Sequence, residues 1–286
     1  MSQIAITGDW HLGEHDRHAL GLFFAYAEQH HPDTIVLNGD VIDCTELHRS
    51  QQGARVPIVR GRSALQLGEE VVVARRVLGR LRRVCPRSRI VYLEGNHEAR
   101  YPRYLARQCP EAYGHLPTLP DLLGLADLGI EWQTYGVPLR VADWWVTHGH
   151  KTTIHACRTL VQDYCANVVQ GHSHRLKAYP HTTPYGRTMT GVEGGHLRDR
   201  RAAYTPTEWP QWQQGWVVLT ERTPSDYAAT LVSVGGESPV ATLGAESLIR
   251  ESSTGLLRAL RAAASAIAQA AVAAAKRGTE GGVFED

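Results

Sequence analysis

Five short apolar runs of strand character each stop at a glycine-bearing polar cluster, and this layout constrains the fold more than any other feature of the chain. Ile4-Ala5-Ile6 leads to Gly8-Asp9-Trp10-His11, Thr34-Ile35-Val36-Leu37 to Asn38-Gly39-Asp40, and Arg89-Ile90-Val91-Tyr92-Leu93 to Gly95-Asn96-His97. Trp144-Trp145-Val146-Thr147 leads to His148-Gly149-His150, and Asn167-Val168-Val169-Gln170 to Gly171-His172-Ser173-His174. Helical patterns lie between these runs, and that alternation reads as an α/β core. Polar clusters at the carboxyl ends of strands stand where open α/β sheets bind their ligands.

The helical patterns are specific. From His18 to His30 the apolar residues Ala19, Leu22, Phe23, Tyr26 and Ala27 follow a helical period, which Pro32 stops. A second helix is expected over Ser63–Val84, with Leu65, Leu67, Val71, Val72, Leu78 and Leu81 facing inward, and a third over Thr153–Cys165, capped by Thr152 or Thr153. Residues 215–220 and 227–234 read as a hairpin whose turn carries Pro224 and Asp226. From Ser252 the chain becomes alanine-rich, with an apolar seam of Leu256, Leu260, Ala264, Ile267 and Ala271. That seam fits a terminal helix resting on the domain or fraying from it, or a contact between copies in a homo-oligomer. The expected organisation is one domain over 1–240, a helix over 250–277 and a disordered tail over 278–286.

Thirty basic residues against 29 acidic ones give a net charge of +1, which excludes a chain-wide electrostatic footprint for nucleic acid. Arg75, Arg76, Arg80, Arg82, Arg83, Arg87 and Arg89 crowd the second helix and its exit, as a solvated face does. No apolar stretch reaches the roughly 18 residues of a membrane span and no leader pattern opens the chain, so no membrane partner and a cytoplasmic location are expected. Cys44, Cys85, Cys109, Cys157 and Cys165 are odd in number and scattered, the pattern of reduced structural thiols.

The polar clusters supply Asp9, His11, Asp40, Asp43, Asn96, His97, His148, His172 and His174. These are oxygen and imidazole donors without sulfur, which suit Mn²⁺, Fe or Zn²⁺. On extended backbone, Asp9-x-His11 and His172-x-His174 each aim both side chains to one side, and each pair serves one ion or is shared across two. A buried Asp40 without a cation is costly, whereas a carboxylate bridging two divalent ions about 3.5–4 Å apart recurs in phosphoryl transfer. No G-x-x-x-x-G-K-[ST] loop and no G-x-S-x-G elbow occurs, which leaves P-loop and serine acyl-transfer chemistry without residues.

The ordered set Asp9-x-His11, Gly39-Asp40-x-x-Asp43, Gly95-Asn96-His97-Glu98, His148-Gly149 and Gly171-His172-x-His174 resembles the calcineurin-like metallophosphoesterase superfamily, most of all its stand-alone bacterial and bacteriophage members. The resemblance implies a four-layer αββα sandwich of two mixed sheets. It also implies two divalent metal ions, Mn²⁺ first, with Fe, Zn²⁺ and Ni²⁺ as alternatives. Asp9, His11, Asp40 and His174 are implied to hold one ion, and Asp40 again, Asn96, His148 and His172 the other. His97 is implied as the catalytic group at the phosphate and Asp43 as an outer orienter of ligands, with a metal-bridging hydroxide as nucleophile.

Arg100 and His150 are candidate substrate contacts, with Arg103 behind them. Glu98 is expected to bond backbone or cap a helix. Trp209, Trp212 and Trp216, near Tyr204, suit either stacking on bases or packing. His15, His18, His30, His31, His48, His115, His155, His181 and His196 receive no role. The expected substrate is a phosphodiester in a nucleotide or in DNA or RNA. Phosphomonoester or serine/threonine phosphoprotein hydrolysis is the alternative, and a non-catalytic interaction module of the same fold stands behind it.

Overall fold

The computed structural model describes residues 1–47, 66–199, 211–224 and 226–234. The expected helix over 250–277 and the tail over 278–286 lie outside the described residues, as do Tyr204 and Trp209. The elements in chain order are β1 (Gln3–Thr7), α1 (Arg17–His30), β2 (Thr34–Asn38), α2 (Leu67–Val84), β3 (Arg89–Leu93), α3 (Arg100–Gln108) and α4 (Leu119–Leu123). They continue with β4 (Ile130–Gln133), β5 (Leu139–Val141), β6 (Trp144–Thr147), α5 (Ala156–Tyr164), β7 (Asn167–Gln170), β8 (Leu176–Thr182), β9 (Thr188–Gly194), β10 (Gly215–Thr223) and β11 (Asp226–Ser233).

Two mixed sheets result. One has the order β11-β10-β1-β2-β3-β4, with β1 to β4 parallel and β10 antiparallel to β1. The other has the order β5-β6-β7-β9-β8, with β6, β7 and β9 parallel. Alternation along the strands separates two cores. Ile4 and Ile6 of β1, Val36, Val91 and Leu93 face Val146, Val169 and Val192 of the second sheet. Ala5, Ile35, Leu37, Ile90 and Tyr92 point the other way, onto Phe23 and Phe24 of α1 and Leu78 and Leu81 of α2. Helix α5 lies against β7, β8 and β9. The order helix, sheet, sheet, helix is the expected four-layer αββα sandwich. Among the described residues no helix is long and apolar enough to cross a membrane.

Local chemistry explains where elements depart from the sequence pattern. Helix α2 opens at Leu67, with Gln66 and Glu69 in a reciprocal capping box, and Val72 points to solvent, 56% exposed, while Ala74 takes the buried position. Residues 63–65 of the expected helix lie outside the described residues. Helix α5 starts at Ala156 rather than Thr153; Arg175 donates to the carbonyl oxygens of Thr152 and Thr153, and the latter also takes the Ala156 N–H in the turn that opens the helix. Strand β8 carries Pro180 and His181, which mask its strand character, and it stands at a sheet edge, where proline is tolerated.

Part of the arginine-rich face is structural. Arg82 donates to the carbonyl oxygens of Cys85, Ser88, Leu128 and Gly129 at 2.7–3.2 Å, which ties the end of α2 to the turn before β4. Arg80 lies over the Phe24 ring at 4.6 Å, and Arg89 pairs with Glu131. Charge-assisted bonds to carbonyls are the stronger kind. Arg82→Ala is therefore expected to cost about 2–3 kcal/mol in urea unfolding, and exposed Arg76→Ala less than about 0.5 kcal/mol; equal midpoints for the two variants would contradict this assignment.

Candidate metal centre

The loops after β1, β2, β3, β6 and β7 converge at one edge of the sandwich. The first two run on together beyond their strands, with Asp9 N–H bonded to Gly39 O, His11 N–H to Asp40 O and Leu12 N–H to Val41 O. Asp9, His11, Asp40, His172 and His174 all sit at positive φ, between 48° and 65°. The extended backbone expected for Asp9-x-His11 and His172-x-His174 is therefore absent. Their side chains converge through left-handed turns, a conformation costly for residues with a Cβ and concentrated where function demands it. Between Asp9 and His11, Trp10 turns away into the helix layer, fully buried against Phe23 and Phe24, and anchors the loop.

Three donor groups form among the described residues: Asp9–His11–His174, Asp40–His148–His172 and, sharing His11, His11–Asp43–His97. Asp9 Oδ1, His11 Nε2 and His174 Nε2 face one another, with 3.1 Å from His174 to each of the other two and 3.9 Å from His11 to Asp9. Asp40, His148 and His172 form the second group, with His148 Nε2 at 3.3 Å from Asp40 Oδ2 and 2.9 Å from Asn96 Oδ1. These two groups adjoin, because the His172 N–H bonds Asp9 Oδ2 at 3.0 Å and the His148 and His172 rings lie 5.3 Å apart.

These residues fit divalent cations. Donors about 2.1 Å from one cation and at right angles stand about 3 Å apart, the spacing of His174 Nε2 from Asp9 Oδ1 and from His11 Nε2. Asp9 Oδ1 is fully buried and has no hydrogen-bond partner among the described residues; its 3.1 Å approach to His174 is a charge contact without hydrogen-bond geometry. A buried carboxylate oxygen left so is costly unless a cation faces it.

Electrostatics sorts the histidines. Burial, partly offset by Asp43, lowers His11 to about 4, so it is neutral near pH 7 with a lone pair on Nε2. Asp43 Oδ1 takes both the His11 Nδ1–H at 2.7 Å and the His97 Nδ1–H at 2.8 Å. Burial opposes charge on His97, yet Asp40 and Asp43 outweigh it and raise its pKa above the ordinary value. His148 gives Nδ1–H to Asn38 O at 2.8 Å, and despite burial the carboxylates of Asp40 and Asp9 push it to about 10. Burial works to raise Asp40 and Asp43, but neighbouring histidines hold both well below the usual carboxylate range.

The sequence of the calcineurin-like phosphoesterase family matches residues 2–181, well over half of the chain. The chain belongs to that family. Two Gene 54 proteins are similar to it, from Mycobacterium phage L5 (25% identical over 232 residues) and Mycobacterium phage D29 (26% over 236), each match covering 76% of this chain and 88% of the relative. Among solved structures, Yfce, a phosphoesterase from E. coli, aligns at TM-score 0.42 and 12% identity, covering 84% of this chain and 98% of that one. Vps29 from Chaetomium thermophilum aligns at 0.43 and 10%, covering 84% and 95%.

In this calcineurin-like phosphoesterase the remaining sequence candidates take particular places. Arg100 Nη1 bonds Asp43 O at 2.7 Å, so its guanidinium braces the loop that carries Asp43. His150 is exposed, and the positive φ of Gly149 turns it off the face of His148. Arg103 lies over the Tyr135 ring at 5.4 Å, and Tyr135 borders His148 at 6.5 Å. Trp216 is core, packed on Phe23 and Tyr26 at 5.6 Å.

Glu98 bonds backbone as the sequence reading expects, whereas His196 and Glu70 receive no part in the site from it. Glu98, fully buried, takes the N–H groups of Asp40, Val41, Ile42 and Gly95 and the Tyr92 hydroxyl at 2.7–3.1 Å, and so ties the second loop to the third. Gly95 is required there, because a Cβ would run into Asp40. His196, given no role, is buried against His174 with Trp212 beside it. Only the return of the chain through β9 and β10 brings that pair to the centre.

Glu70 of α2 holds the backbone just past Asp43, accepting from Cys44 N–H at 2.7 Å and Thr45 N–H at 3.4 Å. Burial, with the charge of Asp43, raises it from 4.5 to about 8. The folded chain thus keeps a proton that the unfolded chain has released, and stability falls as pH rises from about 4.5 through 8. Glu70→Gln removes that loss. Compared with the unsubstituted protein, it should gain about 2 kcal/mol more at pH 8.5 than at pH 6 in urea unfolding with EDTA; a pH-independent difference would refute the assignment.

Proposed function

We propose that this chain is a two-metal phosphoesterase that hydrolyses phosphodiesters in nucleotides or nucleic acid. The observation that carries the reading is the pair of adjoining donor groups, Asp9–His11–His174 and Asp40–His148–His172, with His97 beside them. Asp9, His11, Asp40 and His174 would hold one ion, and Asp40, Asn96, His148 and His172 the other. Their oxygen and imidazole donors suit Mn²⁺ first, with Fe, Zn²⁺ and Ni²⁺ as alternatives. When bound, two divalent ions polarise phosphoryl oxygens and acidify water.

The chain's own residues supply the rest. His97 Nε2 stands 3.7 Å from Asp40 Oδ2, and its ring is 15% exposed, so it faces the place where a phosphate would meet the centre. With Nδ1–H fixed on Asp43 and a raised pKa, His97 offers a proton or positive charge to the leaving oxygen. Arg100 keeps Asp43 in place through its carbonyl. Arg103 with Tyr135 and half-buried Trp212 border the two donor groups, and a cation and ring faces favour a nucleotide-type diester over a simple monoester. Five free thiols support a cytoplasmic setting.

The test is hydrolysis of bis(p-nitrophenyl) phosphate against p-nitrophenyl phosphate by EDTA-stripped protein refilled with Mn²⁺. Faster diester cleavage is expected, restored by Mn²⁺ and not by buffer alone. His97→Ala should lower kcat about 10²- to 10⁴-fold while bound Mn²⁺ is unchanged, and Asp40→Asn should lose both ions and activity. Monoester preference would replace the substrate with a phosphomonoester or phosphoprotein, and full activity in Asp40→Asn would end the two-metal reading.

A further inference from the structure

Imidazoles that bind metals are normally steadied from behind by a hydrogen bond at the other ring nitrogen. His11 has Asp43 there, and His148 has Asn38 O. His172 and His174 have no such bond among the described residues; the His172 ring is partly open to water, whereas His174 is closed off. The His174 Nε2 faces Asp9 and His11, while its Nδ1 is buried and has no hydrogen-bond partner among the described residues. In the tautomer that frees Nε2 to coordinate, Nδ1 carries the proton, and that N–H meets no acceptor.

Rings stand where the acceptor is missing. His196 stacks on His174 at 5.0 Å between centroids and 22° between planes. Trp212 meets His174 at 4.5 Å and 66°, and His196 at 5.8 Å and 69°. We infer that Trp212, together with His196, is the positioning element that holds His174 in its ligating orientation by ring packing in place of a hydrogen bond. The inference rests on the metal-ligand role proposed for His174.

The backbone places the bracket. Gln213 N–H bonds His174 O at 2.9 Å, Gly215 N–H bonds His196 O at 3.0 Å, and His196 pairs with Gln214. The segment bearing Trp212 is therefore tied to both histidines that the indole covers, and it leads directly into β10 of the other sheet. A ring pair of this geometry is worth roughly 2- to 12-fold in an equilibrium. Two of them on one imidazole approach the roughly 10- to 100-fold that outer partners of a metal ligand contribute to affinity.

Binding of Mn²⁺ to the EDTA-stripped full chain, followed by titration calorimetry and by metal content after desalting, tests this without reference to turnover. The unsubstituted chain should bind two ions. Trp212→Leu should weaken one of them about 10-fold or more and leave the other unchanged, and Trp212→Phe should recover most of the loss. Urea unfolding of the stripped variants in EDTA reports any general destabilisation separately. Unchanged affinity for both ions in Trp212→Leu, or an equal loss of both, would overturn the inference. Should Trp212→Leu fail to fold, Trp212→Phe and Trp212→Tyr are expected to show a graded loss confined to one ion, and no loss in either would overturn it. An unsubstituted chain that binds no Mn²⁺ would instead remove the two-metal reading itself, and the inference with it.

Discussion

Asp9 and Asp40 are carboxylates removed from water at the ends of two adjacent parallel strands, and the architecture of the whole strand-end edge follows from that burial. An ionised group in such a place demands opposite charge and hydrogen bonds. His148 after β6 and the backbone N–H groups of His97 and His172 supply them, while His11 and His174 come alongside from the loops after β1 and β7. The helix and sheet layers form an ordinary apolar sandwich, but its two sheets are registered so that these loops meet. Left-handed turns at five of the donor residues record what that meeting costs.

Between the donors and the core lies a shell of residues that orient them. Glu98 binds four backbone N–H groups and so fixes the Asp40 loop to the Asn96-His97 loop. Asp43 ties His11 to His97 through one carboxylate oxygen, so the two imidazoles share a single tether. Arg100 and Glu70 hold the peptide group just after Asp43, one at its carbonyl oxygen and the other at its N–H. Behind His174 stand the rings of His196 and Trp212, and its buried Nδ1 has no hydrogen-bond partner among the described residues.

Much of this was legible in the sequence, because apolar runs ending in Asp, Asn and His clusters report both the strand and the polar side chains gathered at its end. The α/β alternation, α1, the late hairpin and the donor residues all follow from local pattern. Other features depend on distant partners and leave no local trace. Arg175 reaches back 22 residues to the Thr153 carbonyl just before α5, and β8 hides behind Pro180 because an edge strand tolerates what an inner one rejects. Arg82 reads as one of many surface arginines until four carbonyl oxygens are seen around it. His196 and Trp212 acquire meaning only when two chain returns bring them onto His174.

The claim on which everything else turns is that two cations sit side by side at this edge with Asp40 between them. Anomalous diffraction at the manganese absorption edge, from crystals of the Mn²⁺-loaded chain, addresses it directly. The account predicts two peaks per chain about 3.5–4 Å apart, one among Asp9, His11 and His174 and one among Asn96, His148 and His172. A single peak, or a peak centred on the third convergent group of His11, Asp43 and His97, would contradict it.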